Sequence, residues 1–164
     1  EFKGAPWIPT PRWQVKRMLD LAEVSSEDTI YDCGCGDGRL ILMAARKYGA
    51  NAVGIEIDPL RYFYCQFLVT FWGLRNQVKV IHGNIFDADL SDATVVTCYL
   101  RQRTNNKLEE KLMRELTPGT RVVSNTFIFP TVPAVGGDDH IRLYYFYPDK
   151  DQGLKNIIEN SESQ

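Results

Sequence analysis

Residues 32 to 38 read Asp-Cys-Gly-Cys-Gly-Asp-Gly. Gly34, Gly36 and Gly38 fall on alternate positions, Asp32 stands two residues ahead of the first, and Asp37 lies between the last two. Glycine admits backbone angles that other residues avoid and lets a ligand come against the main chain. A phosphate-binding loop needs free amide groups at the mouth of the following helix. Here Asp37 competes for those amides and repels a diphosphate, and Asp32 adds a second negative charge. The spacing also departs from the Gly-x-Gly-x-x-Gly dinucleotide fingerprint. The loop suits a ligand with a cationic end.

Two polar positions follow in step with it. Glu56 lies 22 residues after Gly34, where an acid can accept hydrogen bonds from both hydroxyls of a ribose. Asn84 precedes Ile85 and Phe86; an amide there can bond an adenine amino edge while Ile85 or Phe86 covers the ring. Each feature alone has a plain explanation, because acids and Asn after strands are commonly turn residues. Their conjunction describes a nucleoside carrying an amino acid, S-adenosyl-L-methionine, whose spent form is S-adenosyl-L-homocysteine. The predicted cofactor contacts are Thr10, Tyr31, Asp32, Gly34, Gly36, Asp37, Glu56, Ile57, Asn84 and Ile85.

Strands and helices must alternate to place these residues. Thr10-Pro11 predicts a helix start, with Thr10 as cap and proline at the first helical position. Val15, Met18, Leu19 and Ala22 continue it at helical spacing. Further helices are predicted over 40–47, stopped by Gly49, over 59–73, and over 104–116, stopped by Pro118-Gly119. Strands are predicted over 29–31, 52–57, 78–81, 94–99 and 120–125, then over 127–132 and 141–147, the last two joined by the turn-rich Gly136-Gly137-Asp138-Asp139. The pattern predicts an α/β three-layer sandwich around a mostly parallel, Rossmann-like seven-stranded sheet with its last strand antiparallel. Residues 1–149 read as a single domain with an N-terminal capping helix, and 150–164 as a polar tail expected to fray.

The 164 residues carry a formal charge of −2, so no basic excess points to a nucleic-acid partner. Cys33, Cys35, Cys65 and Cys98 lack zinc-ligand spacing and read as reduced, buried thiols of an intracellular protein, with no metal site. The sequence given has no secretory signal pattern and predicts a cytoplasmic protein; a preceding segment would make a mitochondrial or membrane-associated location the alternative. Residues 62–72 form a helix that is apolar nearly all round. The expectation is that the N-terminal segment covers it; a homodimer face or a membrane-resting surface are the sharper readings. It is too short to span a bilayer.

The chain resembles the class I, seven-stranded S-adenosylmethionine-dependent methyltransferases, and among them the small prokaryotic protein-lysine methyltransferases and their mitochondrial relatives. The likeness rests on Pro6-Trp7-Ile8-Pro9-Thr10-Pro11, on Val15 to Ala22, on the loop Tyr31 to Arg39, on Asp92-Ala93-Thr94-Val95-Val96-Thr97, and on Glu115-Leu116 with Pro118 to Ser124. It implies a protein substrate presenting lysine, with Trp7 and Thr10 folding over the cofactor. The adenine-N6 methyltransferases carry an Asn/Asp-Pro-Pro-aromatic motif after the fourth strand; here Thr97-Cys98-Tyr99-Leu100 stands there instead. Tyr99 and Asn125 are the catalytic candidates, one bounding the acceptor channel and the other bonding the acceptor amine. Two departures fall where the acceptor enters. Asn125-Thr126 replaces a His and an acid of the prokaryotic members, and Arg101-Gln102-Arg103 replaces an apolar stretch. They keep open two alternatives: a small-molecule N- or O-methyltransferase, or a cofactor-binding protein with little catalysis. His82 and His140 have no evident partner and receive no catalytic role.

Overall fold

The computed structural model describes residues 8–148; the expected lid residue Trp7 and the tail 150–164 lie outside them. The elements run α1 (Arg12–Leu21), β1 (Thr29–Cys33), α2 (Arg39–Tyr48), β2 (Asn51–Glu56), α3 (Pro59–Phe71), β3 (Val78–His82), β4 (Val95–Cys98), α4 (Gln102–Glu115), β5 (Thr120–Asn125), β6 (Gly136–Gly137) and β7 (Ile141–Phe146). The strands form one sheet in the order β3-β2-β1-β4-β5-β7-β6. The first five are parallel; β7 pairs antiparallel with both β5 and β6.

Two apolar layers hold the sheet. Val15, Met18 and Leu19 of α1 pack with Ile41 and Ala44 of α2 and with Cys65 and Val69 of α3 on one face. Leu108 and Leu112 of α4 pack with Val96, Val122 and Phe146 on the other. The central strand β4 is buried at all four positions, which is why its run Val-Val-Thr-Cys shows no alternation. Gly49 ends α2 in the left-handed conformation at φ +72°, as its place after Arg46 and Lys47 predicts.

Three expectations need correction. Thr10 does not cap α1: the helix begins at Arg12 behind Pro11, with no side-chain cap. The Pro11 carbonyl instead receives the amides of Gln14 and Val15, each at 3.0 Å. Residues 127–132 form a loop, and the strand expected there is the short β6 in the stretch read as a turn. The cause lies in α4, whose side chains take the hydrogen bonds a neighbouring strand would need. Gln102 bonds both the amide and the carbonyl of Ile128, at 3.0 and 2.8 Å. Both carboxylate oxygens of the buried Glu109 accept from the Thr131 amide, at 3.2 and 3.0 Å. Lastly, the apolar helix α3 is not covered by the described part of the N-terminal segment. α1 packs beside α2, and Leu60, Phe63, Tyr64, Phe67, Phe71 and Trp72 stay exposed. Among the described residues no helix is long and apolar enough to cross a membrane.

Candidate functional site

From β1 the chain turns through α2 to β2 on one side, while β4 lies on the other side of β1. In a sheet of this kind the crevice opens at the carboxyl ends of those strands. There the amides of Gly34 and Cys35 both donate to the Ile55 carbonyl, at 2.9 and 3.0 Å, folding the glycine loop over the end of β2. Gly34, Gly36 and Gly38 all have positive φ, at +80°, +57° and +79°. Only the first two line the cleft. A Cβ at Gly38 would collide with the Cys65 sulfur of α3, so the third glycine serves the close approach of α2 to α3 rather than a ligand.

Glu56 ends β2 and is only 4% exposed. Its Oε2 accepts from the Gly36 amide at 2.9 Å and its Oε1 from the Asp58 amide at 2.8 Å. Arg61 Nη2 lies 3.3 Å from Oε1. The carboxylate is thereby fixed in orientation while its remaining lone pairs stay at the cleft. Arg61 also lines the cleft, and its Nε is buried with no hydrogen-bond partner among the described residues.

Asp32 sits between Gly54 of β2 and Thr97 of β4 in the register. It is buried, and Thr97 Oγ1 donates to it at 2.8 Å. Burial pushes its carboxyl up from 3.8 to about 7; the Thr97 bond opposes this, and the charges of Glu56 and Asp37 add to it. Asp37 differs from the free charge read in the sequence. Its carboxylate clasps Arg39, whose Nε lies 3.0 and 3.1 Å from the two oxygens. Arg39 Nη1 in turn donates to the Thr10 carbonyl at 2.8 Å. Asp37 therefore ties the segment ahead of α1 to the glycine loop, and its charge is neutralised at close range.

Beyond β3, Asn84 Oδ1 accepts from the Phe86 amide at 3.0 Å, which makes a turn and sets Asn84, Ile85 and Phe86 along the cleft wall with Ile57. At the other end the cleft is bounded by Cys98, Tyr99, Leu100, Arg101, Thr104 and Phe127. A polar network behind that end fixes it. The fully buried Asn105 donates to Ser124 Oγ at 3.1 Å, and Ser124 donates to the Phe127 carbonyl. Thr126, just before Phe127, holds φ at +70°. A β-branched residue adopts that angle at a cost of about 1–3 kcal/mol, and such strain clusters at functional sites.

Two predicted residues are not brought into the cleft. Tyr31 packs in the core on the α4 side of the sheet. Asn125 is buried, bonding Gln14 Oε1 at 3.4 Å and accepting from Thr126 Oγ1 at 3.1 Å. The others, Thr10, Asp32, Gly34, Gly36, Asp37, Glu56, Ile57, Asn84, Ile85 and Tyr99, line one cavity. Its volume is about 330 Å³, within the range of small-molecule sites. Arg39, Arg61 and Phe127 escaped the sequence reading. Arg39 carried a signal, standing directly after the loop; Arg61 and Phe127 reach the cleft only through the fold.

Residues 32–135 match the family model described as the ANTKMT methyltransferase domain. The chain belongs to that family. It is a methyltransferase domain of class I fold, and the matched span runs from the glycine loop to the loop that carries Phe127. A protein-lysine N-methyltransferase of Saccharolobus islandicus (strain REY15A) is 45% identical over 123 residues, covering 74% of this chain and 76% of that protein. A lysine N-methyltransferase of Xenopus laevis, named for an ATP synthase subunit, is 31% identical over 137 residues, covering 83% of this chain. The chain spans only 58% of that longer relative. A crystal structure described as an RNA methyltransferase from Salinibacter ruber in complex with S-adenosyl-L-homocysteine superposes with a TM-score of 0.80. It is 39% identical, and the match covers 87% of this chain and 95% of that one.

Proposed function

We propose that the protein transfers the methyl group of S-adenosyl-L-methionine to the ε-amino group of lysines in a protein substrate. One observation carries the reading: the buried Glu56, the Gly34–Gly36 backbone and the buried Asp32 converge on a single cleft whose far end is bounded by Tyr99, Leu100 and Phe127. The residues fit the cofactor. Glu56 is pre-oriented to accept from ribose hydroxyls. The orphaned Arg61 Nε beside it offers a donor to a polar ligand. An ammonium next to Asp32 would hold its carboxyl ionised and offset the cost of burial. Ile57, Ile85 and Phe86 supply apolar cover for a base. The cofactor supplies an electrophilic methyl on a sulfonium.

The protein's own task is then to present a neutral amine in line and to exclude water. A free lysine ammonium has a pKa near 10.4. The apolar surfaces of Leu100 and Phe127, with the cation Arg101 at the same end, all disfavour its charged form. No dedicated base is required, and Tyr99 bounds the channel. The Saccharolobus and Xenopus relatives, both lysine N-methyltransferases by name, support the acceptor class. We place the reaction in the cytoplasm; four buried free thiols fit a reducing compartment.

RNA is the second reading, favoured by the description of the Salinibacter protein and by Arg101 and Arg103 at the acceptor end. Incubation with tritiated-methyl cofactor and cell extract separates the two. Label removed by protease and recovered as methyllysine supports the proposal. Label removed by ribonuclease, or found only in small metabolites, overturns it.

A further inference from the structure

The outer face of α3 has no function in the cleft, and its composition is unusual. Leu60, Phe63, Phe67 and Phe71 are 79%, 66%, 62% and 66% exposed. With Tyr64 they fall at spacings of three and four residues, one continuous stripe along the solvent side of the helix. Phe67 stacks on Phe71, and Phe71 meets Trp72 edge to face. Solvent-facing helices of α/β domains are normally polar on this side, and an apolar patch of this kind marks an interaction surface.

Charge says what covers it. From Pro59 to Phe86 the chain has no Asp or Glu, although it has 21 in all. Residues 39–86 carry six Lys or Arg; Arg39 and Arg61 pair with Asp37, Glu56 and Asp58 at the cleft, which leaves Arg46, Lys47, Arg75 and Lys79 with no acid in 59–86 to offset them. Arg46, Arg75 and Lys79 lie against α3. Arg46 lies 3.6 Å over the Trp72 ring, Lys47 is exposed beside it in sequence, and Arg75 is held by Thr70 at 3.0 Å. Arg75 and Lys79 also line a shallow groove with Tyr62, Phe63 and Phe67, along the edge strand β3.

We infer that α3 is a peripheral docking face for an anionic lipid bilayer. The helix lies flat, Leu60, Phe63, Phe67 and Phe71 entering the boundary between headgroups and acyl chains, with Arg46, Lys47, Arg75 and Lys79 meeting lipid phosphates. A second copy of the chain is a poorer occupant, since a two-fold contact would bring the same cations face to face. RNA is poorer too, because the centre of the face is Leu60 and Phe side chains with the cations at its margins, not a continuous cationic track for a phosphate backbone. The inference is independent of the methyl acceptor.

Flotation of the full chain with vesicles tests it, comparing pure phosphatidylcholine with a phosphatidylglycerol mixture. The expected result is binding to the anionic vesicles, weakened by salt, and little to the neutral ones. Each surface cation contributes about 1 kcal/mol, or about fivefold. Arg75→Gln with Lys79→Gln should therefore lower affinity about 30-fold. Phe63→Glu with Phe67→Glu should abolish binding while the melting-temperature gain from S-adenosylhomocysteine is kept, showing that the variant is folded. The inference is overturned by wild-type protein that binds neither vesicle, by equal binding to both, or by vesicle binding that survives the Phe substitutions. It is equally overturned by a wild-type dimer, or an RNA complex, that those substitutions disperse.

Discussion

Asp32 should couple cofactor binding to pH. Burial holds its carboxyl at about 7 before ligand arrives, and a ligand ammonium requires the ionised form. The amino group of S-adenosylhomocysteine is that of a free amino acid and stays protonated across the relevant range. Affinity should therefore follow the ionised fraction of Asp32 in the free protein. With a pKa of about 7 that fraction is about one-eleventh at pH 6 and about ten-elevenths at pH 8, so affinity should rise about tenfold between them, about 1.4 kcal/mol. Calorimetry in buffers of different ionisation heat should show close to one proton released per ligand at pH 6 and almost none at pH 8. Stability follows the same linkage. A folded pKa raised above the ordinary 3.8 means that stability is full below that value and is lost as pH rises through about 7. Bound ligand restores it, so the melting-temperature gain should be larger at pH 8 than at pH 6. Asp32→Asn keeps the Thr97 hydrogen bond and should bind weakly with a flat profile. A flat profile in the wild type, or the same slope in the Asn variant, would refute the reasoning.

Gly38→Ala should lose about 2 kcal/mol or more of stability in a urea titration, from left-handed backbone strain and the clash with Cys65. Arg39→Ala frees Asp37 and the Thr10 carbonyl; the contact is only partly buried, so cofactor affinity should fall about fivefold with a small change in melting temperature. Glu56→Ala should weaken cofactor binding at least about tenfold by calorimetry, through loss of charge-assisted hydrogen bonds. Tyr31→Phe, altering a residue packed away from the cleft, should leave kcat and KM unchanged within about twofold.

The parts of the site set by chain spacing were legible in the sequence. Glu56 sits at the end of β2 because α2 has the length that brings the next strand back beside β1, and that length is visible from Gly38 to Gly49. The parallel direction of the first five strands follows from right-handed crossovers, whereas their order in the sheet does not. What depended on direction was not legible. β1 is covered on both faces, so nothing in Tyr31-Asp32 says which side chain turns to the cleft. Asp37 reads as an open charge until Arg39 is seen to fold back on it. Phe127-Ile128-Phe129 has the composition of a strand, but Pro130 and the side chains of Gln102 and Glu109 make it a loop. Asn125 stands where the family the chain resembles carries a His at the acceptor entrance, but here Gln14 and Thr126 engage it inside the protein.

Glu56 and Asp32 should grip one adenosyl ligand at its ribose and its amino end in the cleft beside β1. A crystal structure with S-adenosylhomocysteine tests this most directly. It should place ribose hydroxyls about 2.5–3.0 Å from Glu56 and the ligand's amino end over the Gly34–Gly36 backbone next to Asp32. A ligand seated elsewhere, or a Glu56 carboxylate that keeps only its bonds to Gly36, Asp58 and Arg61 with no sugar at hand, would contradict it.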